Sequence, residues 1–189
     1  SLPAHTDFKE GDMAHSAPQV LVIGGVACGP KTAARIKRLQ PEAQVTLIER
    51  SANVSFGACG IPYFLEGHCS SVDTLYETPV GVKRTPEFFQ KAKGFEVRIH
   101  TEAVHIDRKA RQVRVRNTAS GQEEELSYDK LVLATGSSPF VPPIPGIDKK
   151  NIWTVKTSDD ASGIAASIEP AQGKRAVIIG AGLIGLEMA

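Results

Sequence analysis

The chain has 189 residues, of which 41% are hydrophobic and 23% charged, a composition typical of a globular protein that buries a core. The 22 Lys and Arg against 21 Asp and Glu leave a net charge of +1, which gives no electrostatic case for a nucleic-acid or membrane partner. Three cysteines without a CxxC pair favour neither a zinc site nor a disulfide framework, so we expect no metal and an intracellular, cytoplasmic protein with reduced thiols.

The first ordered unit is predicted to follow a flexible polar lead-in at residues 1–18. Residues 20–23 form a short apolar run with β-branched side chains, as expected of a strand buried on both faces. A glycine turn follows, helical spacing begins at Pro30, and residues 43–49 have the pattern of a second strand. This order predicts a βαβ unit.

A helix and a set of strands are predicted in the middle of the chain. The helix lies within the otherwise helical or irregular residues 72–93, with Thr85 as N-cap and Pro86 as its first residue. The predicted strands are residues 95–107, 111–117 and 123–135. The last two are joined at Ser120-Gly121, so we expect an antiparallel excursion that returns to a buried strand at residues 131–134.

The last part of the chain begins with a linker and then repeats the first pattern. Residues 136–148 hold too many prolines and glycines for a helix. Residues 174–189 resemble the start of a βα unit, with an apolar strand at 176–179. Because the chain stops within the helix that follows, we expect it to be a fragment of a longer protein.

The turn GGVACG, residues 24–29, stands after a strand and before a helix, which is the context of a dinucleotide-binding fingerprint. Its glycines allow a tight turn and close helix packing, and the helix N-terminus faces a pyrophosphate. Val26 occupies the second glycine position, a departure from the pattern. Glu49 closes the second strand about 25 residues on, near the spacing used to bind a ribose hydroxyl. A Gly-rich turn needed only for packing is the alternative, and we interpret Cys28 as a small packing residue.

A second and cleaner copy of the fingerprint, GAGLIG, occupies residues 180–185 and again follows an apolar run. Two such turns imply two different dinucleotides. This is the arrangement of an enzyme that passes electrons from a nicotinamide to a flavin.

Residues 19–189 resemble the N-terminal part of the flavin-dependent pyridine nucleotide-disulfide oxidoreductases. The resemblance rests on GGVACG, LIER, SFGACGIPY, TPEFF, SYDKLVLATGSSPFVPPIPGI and IIGAGLIGLE. It implies an α/β fold: a Rossmann-like FAD-binding domain with an inserted antiparallel β-sheet (residues 19–148), followed by the truncated start of an NAD(P)-binding domain (residues 149–189). It also implies a homodimer for the full-length protein.

The resemblance further implies which residues bind the two cofactors. FAD would contact Gly24, Gly25, Val26, Ala27, Gly29, Glu49, Arg50, Val104, Ala134, Thr135 and Gly136. NADH or NADPH would contact Gly180, Gly182, Ile184 and Gly185.

The single cysteine of SFGACGIPYFLEG, Cys59, is the candidate catalytic residue. Reductases of the glutathione type carry a CxxxxC pair, but Phe64 stands where the second cysteine would be. The pattern SFxxCGxPYxxxG is similar to coenzyme A disulfide reductases and NADH-dependent persulfide reductases, with NADH oxidases and peroxidases as close relatives. This similarity implies that the Cys59 thiolate gives a mixed disulfide with coenzyme A, a persulfide or a sulfenic acid, which reduced flavin resolves. A buried structural thiol is the alternative, and it is our expectation for Cys69.

By the same resemblance, one group of side chains would hold the phosphates of a coenzyme A substrate. Its members are Lys31, Arg35, Arg38, Ser55 and Lys93. An ordinary solvated helix face is the alternative. Relatives in the coenzyme A branch commonly have Asn before the cysteine, where this chain has Ala58, so a different thiol substrate stays open. The rival from another class is a non-catalytic flavin-binding module.

Overall fold

Four parallel strands form the central sheet of the protein, whose computed structural model describes residues 17–168 and 175–189. The strands are β1 (Gln19–Ile23), β2 (Gln44–Ile48), β3 (Glu96–Arg98) and β7 (Lys130–Leu133), and they lie in the order β3-β2-β1-β7. In β1, Val20 and Val22 belong to the apolar cluster on one face, and Leu21 and Ile23 belong to the cluster on the other. The strand is therefore covered on both faces, as its continuous apolar run predicts.

Two helices cover the first of these faces. They are α1 (Cys28–Leu39) and α3 (Pro86–Lys93), which contribute the buried Ala33 and Phe89 to the apolar cluster. The predicted start of α3 is confirmed, because Thr85 Oγ1 accepts a hydrogen bond from the Phe88 amide at 3.2 Å and Pro86 is the first helical residue. Helix α1 begins at Cys28, two residues before the predicted start at Pro30.

A three-stranded antiparallel sheet covers the other face. Its strands are β4 (Thr101–Asp107), β5 (Gln112–Asn117) and β6 (Glu123–Ser127), in that order. The buried Val113 and Val115 share an apolar cluster with Leu21 and Ile23. This is the inserted antiparallel sheet that the sequence predicts, and together with the parallel sheet it gives the Rossmann-like α/β architecture.

Short helical segments gather around a third apolar cluster. They are the 3-10 helices Ala58–Gly60 and Val72–Tyr76, with α2 (Ile61–Leu65) and α4 (Ser158–Ile168). The buried members of the cluster are Phe56, Ile61, Leu75, Tyr76 and Ala161. The short helix α5 (Leu183–Glu187) is followed by Met188, which packs against the same cluster. No helix within residues 17–168 and 175–189 is both long and apolar enough to cross a membrane.

Two predicted strands differ from what the structure shows. Residues 131–134 are not fully buried, and Leu133 is 61% exposed, because β7 lies at the edge of the described sheet and pairs there with β1 alone. Residues 176–179 form no strand, and Val177 is 85% exposed. A strand needs a partner for its main-chain hydrogen bonds, and no described strand lies beside this segment. Residues 1–16 of the predicted lead-in and Lys174 lie outside the described residues.

Candidate active site

The turn between β1 and α1 requires glycine at two positions. Gly24 has a φ of +109°, and a Cβ added there would lie 2.2 Å from the carbonyl oxygen of Ala134. A Cβ at Gly29 would lie 1.8 Å from the carbonyl oxygen of Gly24. The Gly24 amide donates to the Ile48 carbonyl at 3.0 Å, which ties the turn to β2. The glycines therefore let β1, α1 and the segment after β7 approach one another at main-chain distance.

The Glu49 carboxylate lies buried at the end of β2 and is 8% exposed. Its Oε2 accepts from the Gly25 amide at 2.7 Å, and its Oε1 accepts from the amide and the hydroxyl of Ser51, each at 2.9 Å. A carboxylate has about four acceptor positions, so three protein bonds leave room for one ligand hydroxyl. Sequence reasoning missed Ser51, although a serine two residues after a strand-end acid is a recognisable local hydrogen-bonding pattern.

The first turn of α1 has the properties of an anion-binding site. Ala27 occupies the N-cap without a side-chain hydrogen bond, and no acidic residue lies in the first turn. Gly29 and Pro30 are buried, whereas Val26, Ala27 and Cys28 are exposed. The free amides and positive end of the helix dipole fit the pyrophosphate of a dinucleotide.

Other predicted flavin contacts meet at the same edge of the parallel sheet. The Ala134 amide donates to the Ile23 carbonyl at 2.8 Å, and the exposed Thr135 and Gly136 follow, with Gly136 at φ +68°. Ser55, predicted to hold a substrate phosphate, also lies at this edge, with a φ of +60° and an amide that donates to the Gly25 carbonyl at 2.7 Å. The carboxyl ends of parallel strands are where nucleotides bind in this architecture.

Arg50 follows β2 of the parallel sheet, and Val104 lies within β4 of the antiparallel sheet. Arg50 is exposed, and its carbonyl accepts from Thr118 Oγ1 at 3.2 Å. Val104 falls at a register irregularity of β4, between Ala103 and His105, and is 37% exposed. The residue at such an irregularity has no paired partner in the register of the neighbouring strand.

Cys59 lies in the 3-10 helix Ala58–Gly60, directly before α2, and it is exposed. The alternative that it is a buried structural thiol is therefore wrong.

Cys28 is exposed as well, which overturns its interpretation as a packing residue, and its Sγ lies 3.8 Å from Thr32 Oγ1. Cys69 is half-buried. Phe64 packs against the third apolar cluster.

The predicted phosphate-binding side chains are distributed along one helix and its neighbours. Lys31, Arg35 and Arg38 are exposed and recur every three or four residues of α1, so they form one basic stripe about 10 Å long. Ser55 lies beside the N-terminal turn through its bond to Gly25. Lys93 is exposed at the end of α3, next to Gly94, whose added Cβ would lie 3.4 Å from Lys37 Cε of α1.

The second glycine turn reproduces the geometry of the first. Gly180 has a φ of +115°, and a Cβ at Gly185 would lie 2.0 Å from the Gly180 carbonyl oxygen. Gly182 is the N-cap of α5, and Ile184 is exposed. The turn therefore has its fingerprint conformation although residues 176–179 are not paired as a strand.

Comparison with known proteins gives one consistent family. The sequence pattern of the pyridine nucleotide-disulphide oxidoreductases matches residues 18–189. The NAD(P)H coenzyme A polysulfide/persulfide reductase of Pyrococcus horikoshii is 40% identical over 171 residues, which cover 90% of this chain and 36% of that protein. The NADH oxidase of Methanocaldococcus jannaschii is 33% identical over 171 residues, covering 90% of this chain and 37% of that protein.

A solved structure, the NAD-dependent persulfide reductase from A. fulgidus, has the same architecture. It matches with a TM-score of 0.83 and 42% identity, over 90% of this chain and 31% of that chain. The chain thus spans little more than a third of the length of the curated relatives above.

Proposed function

The chain belongs to the pyridine nucleotide-disulphide oxidoreductase family, and on that premise we propose that it is the flavin-binding part of a disulfide reductase. Electrons would pass from NADH or NADPH through FAD to Cys59, and from there to a coenzyme A disulfide, a persulfide or a polysulfide. The observation that carries the proposal is the exposure of Cys59 on a turn that lies between two buried residues, Phe56 and Ile61. The similarity to a coenzyme A polysulfide/persulfide reductase supports the substrate class.

The residues around the first glycine turn would hold FAD. The uncapped start of α1 binds the pyrophosphate, and the free acceptor position of Glu49 binds a ribose hydroxyl. Val104, at the register irregularity of β4, and the Ala134–Gly136 segment would add further contacts to FAD. When bound, FAD supplies hydride acceptance from the nicotinamide and reduction of sulfur.

Cys59 would be the electron exit. Its thiol loses a proton, and the thiolate attacks one sulfur of the substrate disulfide, which breaks the sulfur–sulfur bond and releases one thiolate. Two electrons that originate in NADH or NADPH and arrive through FAD, together with one proton, would break this mixed disulfide, free the second thiol and restore the Cys59 thiolate. The exposed position of Cys59 gives a substrate sulfur access to this step.

The division of the chain follows the two glycine turns. We place the FAD-binding domain at residues 19–148 and the start of an NAD(P)-binding domain at residues 149–189, where the turn at Gly180–Gly185 would bind the nicotinamide dinucleotide. A homodimer and a cytoplasmic location belong to the same proposal. The basic stripe on α1, with Ser55 and Lys93, would hold the coenzyme A phosphates.

The test is replacement of Cys59 by serine in the flavin-loaded protein. Flavin should stay bound and NADH should still reduce it, because neither step uses the thiol, whereas turnover of coenzyme A disulfide or persulfide should fall to background. Cys28→Ser is the matched control, since Cys28 is also exposed. Full disulfide reductase activity in Cys59→Ser would end the proposal.

An NADH oxidase or peroxidase is the second candidate, because an NADH oxidase is 33% identical to this chain. In that chemistry the Cys59 thiolate would attack a peroxide oxygen, which breaks the O–O bond, releases water and leaves a sulfenic acid on Cys59 instead of a mixed disulfide. NADH-dependent oxygen or peroxide consumption without any disulfide, lost in Cys59→Ser, would favour it. If neither activity is found while FAD binds, the non-catalytic flavin-binding module is the better description.

A further inference from the structure

The position of the exposed Cys59 is set by the chain on either side of it. The Gly57 amide donates to the Leu75 carbonyl at 2.8 Å on one side. On the other side, Gly60 lies so close to Leu75 that an added Cβ would be 2.4 Å from Leu75 Cδ2. Leu75 therefore contacts both residues that flank Ala58-Cys59.

Tyr76 supports the same turn through its ring. The rings of Phe56 and Tyr76 lie 5.3 Å apart between centroids, and both residues are buried. The turn is thus packed against two consecutive residues at the end of the 3-10 helix Val72–Tyr76, which we name the Leu75-Tyr76 brace.

The Arg84 side chain holds the Leu75-Tyr76 brace through two hydrogen bonds. Its Nη2 donates to the Leu75 carbonyl at 3.0 Å and its Nε donates to the Tyr76 carbonyl at 3.2 Å. Arg84 is half-buried, and its burial lowers the pKa of the guanidinium below the ordinary value for arginine. The Leu75 carbonyl accordingly accepts from both Gly57 and Arg84.

One hydrogen bond connects the brace to helix α4, whose first residue lies 82 positions after Tyr76 in the sequence. Tyr76 Oη and Ser158 Oγ, the first residue of α4, lie 2.7 Å apart. Tyr76 is 6% exposed, so this bond satisfies a hydroxyl that is otherwise removed from water. Ala161 of α4 is fully buried in the same cluster.

We propose that Tyr76 and Ser158 are positioning residues for Cys59, because their hydrogen bond holds the Leu75-Tyr76 brace against α4 and the brace holds the cysteine turn. This inference rests on the redox role proposed for Cys59. It makes the reactivity of the thiol depend on helix α4, which belongs to the part of the chain assigned to the nicotinamide domain.

The test is the rate at which iodoacetamide alkylates Cys59 in the FAD-loaded protein, measured by mass spectrometry with N-acetylcysteine in the same solution as reference, because Cys28 lies in the proposed pyrophosphate site. Tyr76→Phe and Ser158→Ala should each raise the ratio of the Cys59 rate to the reference rate about threefold, a size in keeping with one lost hydrogen bond. The double variant should show no larger effect than either single one, since both break the same bond. Ser158→Thr keeps a hydroxyl and should restore the native ratio.

Two matched variants act as controls. Tyr128→Phe removes the hydroxyl of a half-buried tyrosine that packs against the Val113 and Val115 cluster, and Ser167→Ala removes a serine hydroxyl elsewhere on α4. Both should leave the ratio unchanged. An unchanged ratio in Tyr76→Phe and Ser158→Ala, even with a lower melting temperature, would make the bond merely structural and overturn the inference.

The alkylation test is separate from the redox proposal. Ser158→Ala decides the question alone if Tyr76→Phe does not fold. Alkylation needs no turnover, so full activity of Cys59→Ser would remove the redox role and leave the effect of the brace on the thiol still measurable.

Discussion

Gly29 faces Gly24 so closely that a Cβ on Gly29 would lie 1.8 Å from the Gly24 carbonyl oxygen, and Gly185 repeats this relation with Gly180 at 2.0 Å. Real Cβ atoms do not approach main-chain oxygen to such distances, so alanine at either position must displace its turn. The two turns serve different cofactors in the proposed function. They therefore offer a pair of substitutions that are chemically identical and functionally separable.

Gly29→Ala is expected to abolish flavin retention, because the start of α1 would move away from the pyrophosphate. The turn joins the first strand of the parallel sheet to α1, so a loss of stability of about 1–3 kcal/mol is also expected from the overpacking. The ratio of flavin to protein absorbance after purification and the melting temperature measure the two effects.

Gly185→Ala is the matched counterpart. It should leave the flavin bound and slow its reduction by NADH, because only the second turn changes. A Gly29→Ala protein that purifies fully yellow, or a Gly185→Ala protein that loses its flavin, would contradict the assignment of the two turns.

Glu49→Gln should destabilise the protein by about 1–3 kcal/mol and weaken FAD binding. The carboxylate accepts three hydrogen bonds from Gly25 and Ser51, and an amide would place N–H groups against N–H donors in a buried position. Chemical denaturation with and without added FAD measures both effects. Glu66→Gln, at an exposed glutamate, should change neither. Equal stability of the Glu49→Gln variant and the native protein would show that the three bonds contribute little.

Arg35→Ala should raise KM for a coenzyme A disulfide about three- to tenfold with kcat nearly unchanged, if the basic stripe on α1 holds phosphates. The difference should shrink as salt is added, because Arg35 is exposed and its charge is screened. Steady-state kinetics at low and high ionic strength check this. Arg108→Ala, an exposed arginine in the turn after β4, should have no effect on KM. If Arg35→Ala and Arg108→Ala have the same KM, the basic stripe on α1 is an ordinary solvated helix face and does not hold substrate phosphates.

Asp107 predicts a local pH dependence of stability in the turn between β4 and β5. Hydrogen bonds from the amides of Ala110 and Lys109 hold the pKa of its carboxyl below the ordinary 3.8. A pKa lowered by folding stabilises the protein above pH 3.8, and this contribution is lost as the pH falls through the folded-state pKa.

Asp107→Asn should therefore be less stable than the native protein at pH 7, and the difference should vanish in acid. Urea denaturation from neutral pH down through the range where the carboxyl titrates measures it, with Asp148→Asn in the exposed linker as control. A difference that does not change with pH would mean that the charge of Asp107 plays no part.

The βαβ unit and the start of α3 could be predicted from sequence because their signals are local. The apolar run of β1, the glycine turn and the N-cap at Thr85 each act on residues a few positions away, and each prediction of an element is confirmed. The features that could not be predicted depend on distant partners. Leu133 is exposed because β7 lies at the sheet edge, and the bond between Tyr76 and Ser158 joins residues 82 positions apart.

The cysteines illustrate the same limit. The sequence pattern indicates Cys59 as the candidate, but whether its side chain is buried depends on which residues pack against its turn. Leu75 and Tyr76 are those residues, and neither is close to Cys59 in sequence. The sequence predicts that Cys28 packs inside the glycine turn, yet it is exposed on the first turn of α1. The residue type and the small neighbouring residues do not determine whether a cysteine side chain is buried or exposed.

The strand order β3-β2-β1-β7 has a consequence for how the chain folds. One edge of β1 pairs with β2, which is synthesised soon after it, but the other pairs with β7, and the Gln19 amide bonds to Asp129 across 110 residues. Until β7 emerges from the ribosome, an apolar strand edge stays open in a partly folded nascent chain. Closing a pair of such long sequence separation is slow. Refolding yield should thus decline steeply with protein concentration, and slower translation upstream of residue 130 would prolong the aggregation-prone interval.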